Sequence, residues 1–467
     1  MEAEFAREIL SRLPLAEAVL SLWRWVADPL FLLSVFARHR GQGYEKEISF
    51  EVLVQLIADA LLEHQGSGKK SFARGREQGL LTASVQAVYQ KLSRVPLGLS
   101  EAWLAESSAR LRPVYPEAAC LPMAPALRDL EVIIVDGKAI KRVAKRLKPL
   151  RGRKGGVLGG KALVALELRS GVVVAMATHA DGETNDAKLV PALVPQVREH
   201  VRGKRLWVAN RQFCDLTQPA VFMQDGDHCL VRYHPKTPFS ADAAPPVQRG
   251  QDAQGRVWEQ DWGWFGSEQA KHRRFVRRVT LYRPGEETII LITDLLDAAL
   301  FPATDLLALY LARWSIERVF QQITEVFHLQ TLIGTTPQGT VFQFAFCVLL
   351  YNLVQVVRAY VATAQARPVP TLSTELLFDD VHRQLVAVTE LVPAERLAVV
   401  VPVLPTAEAL RAQLTRLLAT IWTTRWLKQP TTKRTAPAPR TPLRGNHTSV
   451  FRVVTAYHKQ RVNPLLK

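Results

Sequence analysis

Three residues in the second half of the chain have types and spacing suited to phosphate chemistry: Tyr310, Arg313 and Glu317. They lie in DLLALYLARWSIERVFQQIT, residues 305–324, where apolar residues recur every three or four positions and predict one helix. Intervals of three and four residues place all three side chains on one helix face. A phenol, a guanidinium and a carboxylate on one face indicate a site for phosphates and a metal. The alternative is an ordinary i,i+4 ion pair between Arg313 and Glu317, which stabilises a helix by only about 0.2–0.5 kcal/mol.

Two polar residues at predicted strand ends could complete such a site. Asp136 follows the buried strand EVIIV, and Asn210 follows RLWVA. Strand ends are where α/β sheets gather functional groups. Two-metal phosphodiester chemistry needs carboxylates from separate elements, because Mg²⁺ and Mn²⁺ prefer hard oxygen ligands. Asp136 and Glu317 fit that requirement, whereas Asn210 stands where the pattern would place a third acid.

The elements that must position these residues change character along the chain. The first 125 residues have helical periodicity, and from Leu130 strands and helices alternate, which predicts an α/β fold with a mixed sheet. Strand-like pieces between 225 and 300 predict a β-rich insertion ahead of the 305–324 helix. The predicted division is a helical N-terminal domain at 1–125, a catalytic core at 126–224 and 301–365 split by the insertion at 225–300, C-terminal helices at 366–428 and a basic, flexible tail at 429–467. The N-terminal helices could bind DNA, mediate dimerisation, or do both.

Composition restricts the partners. The formal charge of +17 indicates a polyanion, with nucleic acid first and an acidic membrane surface second. The four cysteines form no C-x-x-C pair, which favours reduced thiols over a zinc site or a disulfide framework. The acidic, amphipathic N-terminus does not resemble a signal peptide, and we expect no uninterrupted apolar run long enough to cross a membrane. These features predict a soluble intracellular protein with no small-molecule substrate.

The strongest local charge follows Asp136. Ten Lys or Arg residues and no acid lie between Lys138 and Lys161, and no acid follows Glu408. A loop this cationic beside a metal site would contact DNA phosphates, although a merely solvated loop is the alternative. The residues expected to contact phosphates are Lys138, Lys141, Arg142, Lys145 and Arg146. The tail is expected to act as a polyanion-seeking arm.

Together these pieces resemble a DDE transposase of the family-four insertion-sequence type. The resemblance rests on VIIVDGK, HADGETNDAK, LWVANRQF and the helix with the pattern Y-x2-R-x3-E-x6-K, of which Tyr310, Arg313 and Glu317 fill the first three places. The pieces span about Leu130 to Tyr360 in the family's order, with a β-rich insertion between the second and third acids.

The resemblance implies a ribonuclease-H-like core and a DNA-processing reaction. Such enzymes hydrolyse a phosphodiester at the transposon end and then use the freed 3′-hydroxyl to attack target DNA. By position Asp136, Asn210 and Glu317 would be the catalytic metal ligands for Mg²⁺ or Mn²⁺, and Tyr310 and Arg313 would contact phosphates near the scissile bond. The implied partners are transposon-end and target DNA, and the implied assembly is a homodimer in the synaptic complex. The implied location is the prokaryotic cytoplasm, at the nucleoid.

Two departures from the family pattern bear on activity. Asn210 replaces the second aspartate, so the site loses a negative charge needed to hold two dications, and Thr324 replaces the usual lysine. Asp215, five residues on, is one substitute, while the acids at 181, 183 and 186 are expected in turns and caps. Three functions stay open: a transposase impaired by Asn210, a transposase-derived DNA-binding repressor without catalysis, and a metal-dependent nuclease.

Overall fold

The computed structural model describes residues 2–43, 45–64, 66–141, 143–327, 329, 331–429 and 447–462. Its helices are α1 Glu2–Ser11, α2 Pro14–Val26, α3 Pro29–His39, α4 Phe50–Leu62, α5 Gly68–Glu77, α6 Val85–Leu92, α7 Leu97–Leu111, α8 Val190–His200, α9 Thr217–Phe222, α10 Ala303–Ala312, α11 Ser315–Glu325, α12 Pro337–Ala364, α13 Thr374–Leu391, α14 Ala394–Val400, α15 Ala407–Leu418 and α16 Val450–Val462. Its strands are β1 Leu130–Ile140, β2 Val157–Leu158, β3 Gly160–Glu167, β4 Val173–His179, β5 Lys204–Ala209, β6 His228–Arg232, β7 Phe239–Ala241, β8 Gln248–Gln251, β9 Val257–Phe265, β10 Arg274–Leu281, β11 Ile289–Thr293 and β12 Thr448–Ser449.

The centre of the fold is a large mixed sheet. Its order is β4-β3-β1-β5-β6-β11-β10-β9-β7, with β8 paired to β9. β1, β5 and β6 run parallel, and the pairs on either side of them are antiparallel. The strands of the β-rich insertion therefore continue the same sheet. This mixed α/β architecture with N-terminal helices is consistent with a ribonuclease-H-like transposase.

Both faces of the central strands are buried, which explains the unbroken apolar run before Asp136. Val132 and Ile134 face the core formed with α7 and α12, and Ile133 and Val135 face the core formed with α8. Alternate residues of a strand point to opposite faces, so a strand covered on both sides must be apolar at every position.

The helices from the two ends of the chain share one hydrophobic core. α2 packs against α13 and α15, α1 packs against α14, and α7 packs against α12 and β4. The segments 1–125 and 366–428 are therefore separate in sequence but not in packing.

Two segments are long and apolar enough to cross a membrane by length and composition, Pro14–His39 and Pro337–Ala364. Both contain charged residues, the first Glu17, Arg24 and Asp28 and the second Arg358, so neither is an uninterrupted apolar run. The most apolar 18-residue window of the second segment is entirely buried inside the protein, as expected for a core helix, and the first segment is broken into α2 and α3. A membrane protein is not indicated.

The end of the chain differs from the flexible arm predicted for residues 429–467. Residues 430–446 and 463–467 lie outside the described part, but β12 pairs in parallel with β2 and α16 follows it. Val450 and Val453 are buried, so apolar residues between the cations dock this segment on the core. The prediction from charge alone was wrong there, because it ignored the spacing of these valines.

Candidate active site

Asp136 and Asn210 are brought together by parallel pairing of β1 with β5. Val135 is opposite Ala209, so Asn210 emerges beside Asp136 at the carboxyl edge of the sheet. Asp136 lies within β1 and not at its end as predicted, since the strand continues four residues further through pairing with β3. The neighbouring position of the two residues follows from parallel strands ending at one edge.

The Asn210 amide is held in one orientation by two hydrogen bonds. Its Oδ1 accepts from the backbone N–H of Gln212 at 2.8 Å, which caps the turn that follows β5. Its Nδ2 donates to Oδ1 of Asp136 at 3.0 Å. The oxygen that could ligate a metal therefore faces the backbone, and an N–H group faces the carboxylate.

The segment 305–324 is two helices and not the single helix that was predicted. α10 ends at Ala312 and α11 begins at Ser315, with a tight turn between them in which the N–H of Arg313 bonds the carbonyl of Tyr310, three residues earlier, at 3.0 Å. The tighter turn directs Arg313 inward, where it is buried, and leaves Trp314 50% exposed. Periodicity could not reveal this break, because both helices keep apolar residues toward the same core.

Arg313 bridges the two predicted acids. Its Nη1 lies 3.2 Å from Oδ2 of Asp136, and its Nη2 lies 3.3 Å from Oε1 of Glu317. The i,i+4 pair with Glu317 is present, but the guanidinium also reaches a carboxylate 177 residues away. The structure thus joins Asp136, Asn210, Arg313 and Glu317 into one network.

Burial is the largest influence on Asp136 and raises the pKa of its carboxyl. The Arg313 guanidinium and the N–H of Gly137 act in the opposite direction, and the charges of Asp186 and Glu317 raise the pKa further. Both oxygens of the Asp136 carboxylate therefore accept hydrogen bonds. Oδ2 accepts from Arg313, and Oδ1 accepts from the Asn210 amide and from the N–H of Gly137.

The predicted phosphate-contacting residues occupy different environments. Tyr310 is buried, which raises the pKa of its phenol, and Arg313 lies over its ring at 5.7 Å. Lys138 is half-buried against the ring of Phe320, and burial lowers its pKa.

The other predicted phosphate contacts lie in the loop that follows β1. Lys141 and Arg146 are exposed, and Lys145 donates to the carbonyl of Arg153. Arg142 lies outside the described residues.

Sequence reasoning missed the position of Asp186. It is buried directly against Gly137: a Cβ built on that glycine would meet the Asp186 carboxylate at 2.1–2.2 Å. Its Oδ1 forms an ion pair with Lys161 Nζ at 2.6 Å. The cap of the following turn is Asn185, whose Oδ1 accepts from the N–H of Ala187. The glycine directly after Asp136 is the one sequence signal for such a close approach.

The other predicted acids serve local structure. Asp215, the possible substitute for Asn210, accepts from the backbone N–H groups of Thr217 and Gln218, the first two residues of α9. Asp181 and Glu183 bind Arg452 of α16. Thr324 stands where the resembled family usually has a lysine, and a threonine supplies no positive charge. Its hydroxyl donates to the backbone carbonyl of Phe320 within the same helix.

These residues do not fit a pair of divalent ions as they stand. Within the described residues no three His, Cys, Asp or Glu side chains form a group that could hold a metal ion. Asp136 and Glu317 are the two carboxylates of the network, a guanidinium lies between them, and Asn210 turns a donor toward Asp136. A third carboxylate, at position 210, would be needed to balance the charge of two dications.

Residues 127–353, just under half of the chain, match the family model of the transposase DDE domain. The match covers Asp136, Asn210, Arg313 and Glu317 and supports a DDE transposase. That family implies a nucleotidyl-transfer enzyme of the cytoplasm with DNA as its partner, and its members generally use divalent metals. No curated protein matches the chain significantly.

Proposed function

We propose that the chain is an insertion-sequence transposase that binds transposon ends and target DNA, and that its own strand chemistry is disabled at Asn210. The observation that carries the proposal is the 3.0 Å hydrogen bond from Asn210 Nδ2 to Asp136 Oδ1. It lies in a network otherwise made of the expected residues, Asp136, Arg313 and Glu317. The roles of these residues and the family-four assignment are part of the proposal.

The geometry at position 210 supports this assignment. An aspartate there could keep the bond to Gln212 with one oxygen and place its other oxygen where the amide nitrogen now lies, 3.0 Å from Asp136. Adjacent oxygens in an octahedral Mg²⁺ shell, each about 2.1 Å from the ion, are separated by roughly 3 Å. The backbone is thus arranged for two carboxylates that share an ion, although the chain provides one.

In the chain as it stands, Arg313 neutralises charge and orients the two acids. Asn210 holds Asp136 in place, and the exposed cations that follow β1 would hold DNA through phosphate contacts. Joining two transposon ends would place two copies in one synaptic complex, so we propose a homodimer on DNA.

The test is nicking of a supercoiled plasmid that carries the element's ends, in Mn²⁺. The native chain is compared with Asn210→Asp, and each is paired with its own Glu317→Ala version as the blank. We expect the native chain at blank level and the aspartate version at least about a hundredfold above it, since removal of such charge stabilisation costs orders of magnitude in rate. Nicking by the native chain well above its blank, with no gain from Asn210→Asp, would overturn the assignment. Asp186 would then be tested next.

A DNA-binding repressor derived from a transposase is the second candidate, because the Asn210 amide satisfies the Asp136 carboxylate with a hydrogen bond and no metal is needed for this contact. End-specific DNA binding in EDTA, with no cleavage by either version, would favour it. Strand-transfer products from pre-cut ends, formed by the aspartate version, would favour the transposase over both the repressor and a simple nuclease.

A further inference from the structure

The loop between β1 and β2 has cations on its outer side and apolar residues on its inner side. Val143 and Leu150 are buried, whereas Arg151, Arg153 and Lys154 are exposed. No acid occurs in this segment, and several cations bond backbone carbonyls: Arg151 Nε donates to Arg146 and Arg153 Nε to Pro149. The positive charge of the loop is therefore not neutralised from within.

The C-terminal segment, residues 448–462, packs against the inner, apolar side of this loop. β12 pairs with β2, the strand in which the loop ends, and α16 packs against the short turn Lys148–Leu150. Val450 and Val453 belong to the same hydrophobic core as Leu150. A helix from the last part of the chain thus holds a loop that follows β1.

Arg452 anchors the C-terminal segment to the sheet edge. Its Nε lies 2.7 Å from Oδ2 of Asp181, and its Nη1 lies 2.5 Å from Oε2 of Glu183. The N–H of Ser449 donates to Glu183, and the N–H of Gly182 donates to the Ser449 hydroxyl. Four interactions therefore join the segment to the loop that follows β4.

The position of the cationic loop suggests its partner. It leaves β1 at Ile140, four residues beyond Asp136, which corresponds to about 13 Å along a strand. A duplex engaged at Asp136 would extend past this loop, because the backbone of DNA continues on both sides of a scissile phosphate. Lys459 on α16 is also exposed.

We propose that the distal part of this loop, residues 147–156, supported by α16 and anchored through Arg452, binds the phosphate backbone of duplex DNA flanking the reacting site. This inference rests on the proposed function and extends it beyond the expected phosphate contacts to four exposed cations: Lys148, Arg151, Arg153 and Lys154. The loop supplies the cations, and α16 holds them in place. Binding here is independent of base sequence, because backbone contacts alone carry no direct sequence readout.

The test measures the affinity of the full chain for a short labelled duplex of arbitrary sequence across a salt series in EDTA. Arg151→Gln/Lys154→Gln removes two loop cations. Arg202→Gln/Lys204→Gln is the matched control, because Lys204 begins β5 and both residues are exposed at the opposite sheet edge from Asn210. Each lost phosphate contact lowers the slope of log K against log salt by about 0.9. We expect the loop variant to lose between about 1 and 2 from that slope and the control to match the native chain.

Arg452→Gln tests the anchor. We expect it to lower DNA affinity at least threefold and to speed amide exchange in β12 and α16, with Arg452→Lys losing less. Equal salt slopes for the loop variant and the control variant would overturn the proposal. The proposal would also be overturned if the loop variant lost binding to phosphatidylserine vesicles while its DNA binding stayed unchanged. If the native chain binds no DNA at any salt concentration, it is the proposed function that fails.

Discussion

At the residue scale, the Asn210 amide is held between the turn that follows β5 and the Asp136 carboxylate. Asn210 keeps the cap of its turn and satisfies Asp136 with a hydrogen bond, so a buried carboxylate is stabilised without a metal. Arg313 supplies positive charge between Asp136 and Glu317. Both oxygens of Asp136 are therefore satisfied within the protein, in a form that leaves little negative charge for dications.

Asn210→Asp should make the protein depend on a divalent ion for stability. Without metal, two carboxylate oxygens about 3 Å apart repel each other, so we expect the free energy of unfolding in EDTA to fall by about 1–3 kcal/mol. Mn²⁺ should raise the melting temperature of the variant and leave the native chain unchanged, as thermal unfolding would measure. An equal gain for the native chain would contradict the view that Asn210 excludes the metal.

At the scale of elements, β1 depends on a glycine for its contact with the segment before α8. Asp186 lies against Gly137 so closely that no larger residue fits between them, and Lys161 pairs with the same carboxylate. This contact fixes that segment against the strand that carries Asp136.

Gly137→Ala should therefore destabilise the fold by at least about 2 kcal/mol, because the added Cβ overlaps a buried carboxylate. Asp186→Ala costs stability by itself, since it leaves Lys161 without its partner. The double variant should nevertheless be more stable than the sum of the two single losses, as denaturant unfolding of all four proteins would measure. Simple additivity would mean that the strain of Gly137→Ala arises elsewhere.

α4 has an acid whose ionisation opposes folding. Burial, followed by the charge of Glu63, raises the pKa of Asp59 to about 7 from an ordinary value of 3.8. The folded protein therefore holds a proton on Asp59 that the unfolded chain releases, so this contribution to stability is complete below about pH 4 and is lost as the pH rises through 7. The bond from Gln55 Nε2 to Asp59 Oδ1 acts in the opposite direction.

Asp59→Asn should remove this pH dependence while keeping an acceptor for Gln55. We expect the variant to match the native chain near pH 4 and to exceed its free energy of unfolding by about 1–3 kcal/mol at pH 8. Denaturant unfolding at several pH values measures the difference. A constant difference across the range would show that Asp59 is ionised in the folded protein as in the unfolded chain.

At the scale of the whole molecule, helices from both ends of the chain pack around the central sheet and the helix α12. α12 is buried along most of its length against α7, α2 and α15, and α16 supports the loop after β1. The segment that matches the transposase domain thus shares its core with helices outside the match.

Residues 127–353 alone should consequently fail to fold cooperatively. Removing α2, α7 and α15 would expose the apolar surface of α12, and exposed surface of this size drives aggregation. The expected result is an insoluble or ANS-binding fragment without a sharp thermal transition, whereas the full chain unfolds cooperatively. A soluble fragment with a sharp transition would show that the sheet is an independent domain.

Local periodicity and residue type were sufficient to identify the α/β order and the residues that form the network. Asp136 and Asn210 follow buried strands, and Arg313 and Glu317 lie four apart, so each was recognisable within a short window. Basic composition, with the absence of acids after Glu408, indicated a polyanion partner.

Only the tertiary structure decided how those residues meet. The bond between Asn210 and Asp136, the inward turn of Arg313, the approach of Asp186 to Gly137 and the anchoring of Arg452 join segments distant in sequence. The sequence by itself determined which chemical groups are present and on which strands and helices they lie, because periodicity and composition are local. The order of the strands and the packing between helices determined which groups touch, because those contacts depend on the whole fold.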